Sequence, residues 1–106
     1  MDKITASIPH QLGRDEARRR IQDQMNSLRN QQGGMVNVLQ EVWVGDKMAF
    51  TVGAMGQRLT GNVSVDDQAV QVDVTLPWLL KMLAGSVKQR IEEKGRALLG
   101  GPAPAR

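Results

Sequence analysis

Four strand-like segments joined by very short turns limit the possible folds more than any other feature of this chain. The segments cover residues 35–44, 47–54, 58–65 and 69–76. Apolar and polar residues alternate along them, which is typical of strands that bury one face. Parallel neighbours would each need a crossover of about a dozen residues or more, whereas antiparallel neighbours need only a tight turn. The sequence therefore predicts an antiparallel meander.

The turn between the first two segments predicts their register. A two-residue loop at positions 45–46 pairs Trp43 with Met48 and brings Trp43 and Phe50 onto one face. The same register places Leu39 and Glu41 on that apolar face. A slip of one residue would exchange the two faces of the strand, so we favour the register that groups the aromatic side chains.

Helices are predicted before and after the meander. Residues 14–30 place apolar side chains at steps of four, four and three, on one stripe of a helix. Before them, residues 4–8 alternate as a first strand that Pro9 ends. Pro77 suits the first turn of a second helix over residues 78–99, in which Gly85 and Gly95 permit a bend or a close approach.

The predicted fold class is α+β. We expect a two-layer sandwich in which a five-stranded, mostly antiparallel sheet carries two helices on one face, in the order β-α-β-β-β-β-α. Residues 1–99 form a single domain, and residues 100–106, rich in glycine and proline, are expected to be a disordered tail.

Composition restricts the possible chemistry. The chain has 106 residues, one histidine, no cysteine and a net charge of +3. Cysteine-based metal sites and thiolate nucleophiles are therefore excluded. The N-terminus lacks the pattern of a secretory signal, and no apolar stretch is long enough to cross a bilayer, so we expect a soluble cytoplasmic protein.

We find no catalytic, cofactor-binding or metal-binding residues. His10 follows Pro9 at a strand end, where a role in the loop is more expected than catalysis. The paired carboxylates fall on a turn or on helix faces, where adjacent side chains diverge. Arginines cluster between Arg14 and Arg20, but carboxylates lie among them, so contact with nucleic acid is not favoured. The prediction is a non-enzymatic protein without a cofactor.

Glu41 is unusual because the preferred register puts a carboxylate on the apolar face beside Phe50. Two interpretations remain open. Glu41 is either satisfied at the edge of the sheet or marks a polar point in a pocket lined by Glu41, Trp43, Phe50 and Trp78.

The start of the second helix carries more apolar side chains than one core can take. Trp78, Leu79 and Met82 cannot all face the sheet together with their neighbours. They predict either packing in the core or a homodimer, or an exposed apolar surface that binds a partner.

Several segments together resemble the polyhydroxyalkanoic acid system family, small bacterial proteins linked to polyhydroxyalkanoate synthesis and granules. The matching segments are residues 7–13 (Ser-Ile-Pro-His-Gln-Leu-Gly), residues 43–46 (Trp-Val-Gly-Asp) with Phe50, Gly56 and Gly61, and residues 74–80 (Val-Thr-Leu-Pro-Trp-Leu-Leu). They span residues 4–98. The resemblance implies a process, storage-polyester metabolism in the bacterial cytoplasm, and supplies no catalytic residues. The predicted order of elements is also similar to a shortened helix-grip fold.

Three hypotheses follow. In the first, a granule-associated protein uses Trp78, Leu79 and Met82 to contact the polyester or a granule protein. In the second, a small lipid or hydroxyacyl ligand lies between the sheet and the C-terminal helix. In the third, a regulator contacts nucleic acid through Arg14 to Arg20.

Overall fold

A computed structural model describes residues 2–30, 36–54 and 56–100, and for Asp2, Trp78 and Leu79 the backbone alone. The predicted tail falls almost entirely outside these residues. The elements in chain order are β1 (Asp2–Pro9), α1 (Arg14–Asn30), β2 (Val36–Val44), β3 (Lys47–Ala54), β4 (Gln57–Val65), β5 (Ala69–Leu76), a 3₁₀ segment (Trp78–Leu83) and α2 (Ala84–Leu99). The predicted α+β class and the predicted order of strands and helices are confirmed.

The five strands form one antiparallel sheet in the order β1-β5-β4-β3-β2. The four consecutive strands β2 to β5 make the predicted meander, and β1 joins it at the far edge beside β5. Trp43 pairs with Met48, as the two-residue loop predicts. The short turns therefore determine both the antiparallel arrangement and the register.

A bulge at Leu39 corrects one detail of that register. Val38 pairs with Val52, but Gln40 pairs with Thr51, so one extra residue lies in β2 between them. An extra residue reverses the alternation of side chains beyond it. Val38 consequently packs against the core, and Leu39, predicted on the apolar face, lies 54% exposed on the opposite one.

Helix α1 connects the two edges of the sheet, because β1 and β2 are its outermost strands. Its 17 residues span about 25 Å at 1.5 Å per residue. Five strands at about 4.8 Å spacing are about 19 Å across, so one helix is long enough to cross them. The buried stripe of α1 is Ala17, Ile21 and Met25, as the spacing predicts.

The predicted second helix is two elements. Residues 78–83 form a 3₁₀ segment, in which the Leu80 N–H donates to the Pro77 carbonyl at 2.9 Å. No described side chain caps the start of this segment. The tighter 3₁₀ hydrogen bonds instead pair backbone N–H groups that a capping side chain would otherwise accept from. The α-helix proper begins at Ala84.

Helix α2 packs most extensively on β1, and its backbone comes close to the strand at Gly95. A β-carbon added to Gly95 would overlap Ile8 Cδ1 and lie 3.0 Å from Ile8 Cγ1. Glycine at this position therefore lets the helix backbone rest directly on a side chain of the sheet.

Candidate functional site: an apolar cavity between the helices

A cavity of about 250 Å³ lies between α1, α2 and the inner face of the sheet. Apart from one amide and one lysine, the residues that line it are apolar. They are Ile8, Ile21, Gln24, Met25, Leu28, Met48, Phe50, Val52, Val63, Val70, Val72, Ile91, Lys94, Gly95, Leu98 and Leu99. A carbon-lined space of this kind favours an apolar ligand, because few polar groups are available to hold water.

The burial of the surrounding side chains shows that the space reaches solvent. Phe50, Val72 and Ile91 pack against both hydrophobic clusters of the core, yet each is only partly buried. Side chains at the centre of a filled two-layer core would be fully buried. The two helices therefore do not cover the middle of the sheet completely.

Local sequence explains why room remains there. The sheet presents short side chains, Val63, Val70 and Val72, to the cavity. Gly61 has no side chain at all, and the Phe50 ring lies over it instead. At one end the two helices are tied together, because Arg20 Nη1 donates to the Leu98 carbonyl at 3.1 Å. Short side chains on the sheet, together with helices that are joined at one end, leave a space between the helices and the sheet.

The polar residues of the lining lie at the rim. Gln24 on α1 and Lys94 on α2 are both exposed to solvent while contributing to the wall. Lys94 belongs to the stripe of α2 that faces the cavity, with Ile91 and Leu98. Its carbon stem can therefore cover apolar wall while its ammonium group stays in water.

The predicted pocket residues lie in different places. Phe50 lines the cavity, whereas Trp43 and Glu41 are on β2, which contributes no described residue to the lining. The Trp43 indole Nε1–H donates to Glu41 Oε2 at 2.6 Å, and Trp43 packs against the core. The side chain of Trp78 lies outside what the structure describes.

Glu41 is 9% exposed and lies beside the end of α1. Its Oε1 is 3.1 Å from Arg29 Nη2, close enough for an ion pair. The angles do not make that contact a hydrogen bond, so Oε1 has no hydrogen-bond partner among the described residues. The indole and the guanidinium explain how a carboxylate is tolerated on the inner face of the edge strand β2.

The predicted apolar surface can be described only in part. Met82 is 96% exposed and its neighbour Leu83 is 38% exposed, whereas Leu80 is buried. The side chains of Trp78 and Leu79 lie outside the described residues. The 3₁₀ segment thus presents at least one large apolar side chain fully to solvent.

His10 is buried and both of its ring nitrogens have partners. Nδ1 accepts the Leu12 backbone N–H at 3.2 Å, and Nε2 lies 2.9 Å from the Asp66 carbonyl oxygen. Because a carbonyl can only accept, these contacts assign Nε2 as the donor and Nδ1 as the acceptor. His10 therefore ties the loop before α1 to the turn between β4 and β5.

The arginines of α1 all form ion pairs with carboxylates of the chain. Arg14 and Arg18 contact Asp46 at 3.2 and 3.1 Å, and Arg19 and Arg20 contact Glu16 at 2.6 and 2.9 Å. Hydrogen bonds from Arg19 and then Arg20 lower the pKa of Glu16 to about 2. These carboxylates offset much of the positive charge that a nucleic-acid contact would use.

Within residues 2–30, 36–54 and 56–100, no group of three or more histidine and carboxylate side chains is placed to hold a metal ion. No helix in the same residues is long and apolar enough to cross a membrane.

The sequence alone does not distinguish Gln24 and Lys94 as rim residues. The only signal was positional: Lys94 is three residues after Ile91 and four before Leu98, both of which the helical pattern places on the inner side. A lysine at the border of an apolar stripe is common, so that signal alone does not indicate a site.

No curated protein matches the chain significantly. A solved structure, TTHA0849 from Thermus thermophilus, is 12% identical with a TM-score of 0.36, over 93% of this chain and 92% of that one. A likeness of that extent bears on neither fold nor function. The family model described as a polyhydroxyalkanoic acid system protein matches residues 4–99, nearly the whole described fold. The chain belongs to the polyhydroxyalkanoic acid system family.

Proposed function

We propose that this protein acts in polyhydroxyalkanoate metabolism as a non-enzymatic binding protein, and that the cavity between its helices holds the aliphatic part of a hydroxyacyl ligand. The observation that carries the proposal is the carbon-lined space of about 250 Å³ between α1, α2 and the sheet. Membership of the family supports the metabolic setting.

The chemistry of the cavity matches the compounds of that metabolism. Polyhydroxyalkanoates are polyesters of hydroxy acids, so their precursors carry an apolar chain and a few oxygen atoms. An apolar wall binds the chain by removing it from water, at about 25 cal/mol per Å² of buried apolar surface. The rim at Gln24 and Lys94 leaves the oxygen atoms in contact with polar groups.

Binding can be tested by isothermal titration calorimetry with 3-hydroxydecanoate. The Val72→Phe variant places a larger side chain in the cavity and is expected to abolish binding. The Val42→Phe variant is a matched control, because Val42 lies 45% exposed on the opposite face of the sheet. Far-UV circular dichroism establishes that both variants fold.

A second variant tests ligand binding without a substitution in the core. The Gln24→Trp variant changes an exposed rim residue and should obstruct the opening without disturbing the packing. Binding that survives both Val72→Phe and Gln24→Trp would place the ligand elsewhere and contradict the proposal, as would the absence of binding to the unmodified protein.

One observation favours a second candidate function, association with a granule surface through Trp78, Leu79 and Met82. Met82 is 96% exposed, and covering this side chain with a partner would remove apolar surface from water, which favours association. Cytoplasmic granules with an apolar polyester core would provide such a surface.

Co-sedimentation with purified granules tests the second candidate. We expect a variant carrying Trp78→Ser, Leu79→Ser and Met82→Ser to remain in the supernatant. The Leu39→Ser variant is the control, since Leu39 is 54% exposed on the outer face of the sheet. Equal partitioning of the triple variant and the unmodified protein would count against this surface.

A further inference from the structure

We infer that the cavity takes a single unbranched acyl chain with a free carboxylate, and that Lys94 is the residue that recognises the carboxylate at the rim. The inference rests on the proposed function and names the ligand class and the specificity residue of the same site. It concerns an acid, in contrast to a neutral alcohol or ester of equal length.

The first support is the position of Lys94. It is the one charged residue among the described residues that line the cavity, and it is exposed. The residues beside it on the same stripe of α2, Ile91 and Leu98, belong to the wall. A ligand with its chain against those residues would therefore bring a polar end group to the Lys94 ammonium.

The second support is that Lys94 has no anionic partner within the described part of the chain. All five arginines of α1 form ion pairs, whereas none of the ion pairs found includes Lys94. The adjacent carboxylate of Glu93 instead accepts a hydrogen bond from Gln89 Nε2 at 3.2 Å. An available cation at the mouth of an apolar cavity is complementary to an amphipathic anion.

The size of the cavity sets the length of the chain. At about 30 Å³ for a group as large as a water molecule, 250 Å³ holds about eight such groups. About eight carbons therefore fit inside, so an acid of about nine or ten carbons keeps its carboxylate outside the apolar part. Beyond the rim the wall presents essentially carbon, so a hydroxyl group is compatible only at the rim, to which Gln24 and Lys94 belong.

The expected selectivity follows from these contacts. An exposed ion pair is weak, so decanoate should bind about two- to fivefold more tightly than decanol at low ionic strength. The difference should shrink as salt is added. Chain length should matter more, at about fourfold in affinity for each methylene group up to the length that the cavity accepts.

Calorimetric titration with decanoate and decanol at pH 7.5 tests the inference. The Lys94→Met variant keeps an apolar stem and removes the charge, so it should lose the preference for decanoate while its affinity for decanol stays the same. The Lys88→Met variant is the matched control, because Lys88 is an exposed cation on the same helix outside the lining. It should retain the preference.

The outcomes separate the inference from the proposed function. Equal affinities of the unmodified protein for decanoate and decanol would overturn the role of Lys94 and leave an apolar binding site in place. A preference that persists in Lys94→Met would do the same. If neither compound binds, both proposals are overturned.

Discussion

The contact between Gly95 and Ile8 leads to a quantitative prediction about the stability of the domain. Replacing Gly95 by alanine adds one carbon where α2 rests on β1. That carbon would overlap Ile8 Cδ1 and lie 3.0 and 3.4 Å from Ile8 Cγ1 and Cγ2. Carbon atoms in ordinary contact are about 3.5–4.0 Å apart, so the helix or the isoleucine must move.

Two opposing terms determine the free energy of unfolding of Gly95→Ala. Alanine in a helix is more favourable than glycine by about 1 kcal/mol. Overpacking a core costs about 1–3 kcal/mol. The Ile8 Cδ1 atom can rotate away, but Cγ1 is held by the branched β-carbon of a strand residue. We therefore expect a net loss of about 1 kcal/mol.

Gly85→Ala is the matched control for this substitution. Gly85 lies in the same helix, and a β-carbon there would have no atom within 4 Å. It should gain up to about 1 kcal/mol from helix propensity alone. A difference of about 2 kcal/mol between the variants corresponds to about 8–16 °C in the midpoint of thermal unfolding for a domain of this size.

A double-mutant cycle with Ile8→Ala tests the steric cause. Ile8→Ala removes Cγ1, Cγ2 and Cδ1 and should itself cost about 2–5 kcal/mol in the free energy of unfolding. Adding Gly95→Ala in that background should cost less than it does alone, with a coupling of about 1 kcal/mol by urea denaturation. The steric explanation is refuted if Gly95→Ala stabilises the protein as Gly85→Ala does, or if its effect is the same in both backgrounds.

Three other predictions concern single contacts. Gly61→Ala should lower the free energy of unfolding by more than about 3 kcal/mol, because the added carbon overlaps both the Phe50 ring and the backbone carbonyl of Asp73. Phe50→Leu should therefore not restore stability, and a recovery measured by urea denaturation would contradict this. His10→Ala should cost about 1–3 kcal/mol in the same assay by leaving a buried N–H and a carbonyl without their partner, and a neutral result would refute the ring's structural role. The pKa of Glu16 is lowered from 4.5 to about 2, so its stabilising effect is present above pH 4.5 and is lost as the pH falls toward 2. The melting temperatures of the unmodified protein and of Glu16→Gln should therefore differ at pH 6 and converge near pH 2. A difference that stays constant with pH would contradict this role of Glu16.

Local patterns were sufficient to predict most of the fold. The turn after Val44 allowed only one register that grouped Trp43 with Phe50, and the structure has that register. The apolar steps of α1 correctly predicted its buried residues. These features depend on neighbours in sequence, where side-chain periodicity is a direct consequence of backbone geometry.

Features that depend on distant parts of the chain were not predicted. The bulge at Leu39 leaves the alternation intact on each side, so no local pattern indicates where the faces exchange. The cavity depends on how α1 and α2 are spaced above the sheet, and residues 70 or more apart in sequence line it together. Lys94 was therefore not distinguishable from any other lysine on a helix flank.

The place of β1 beside β5 has a consequence for how the chain folds. Partners in that pair are separated by 60 residues at Pro9 and Ala69, and by 74 at Asp2 and Leu76. β1 precedes β5 by the whole length of the meander, so it can pair only after β5 is available. The hairpins of β2 to β5 close short loops and can form early, whereas closing the sheet at β1 has a larger entropic cost and slows folding. Helix α1, which joins β1 to β2, links this slow strand pair to the meander.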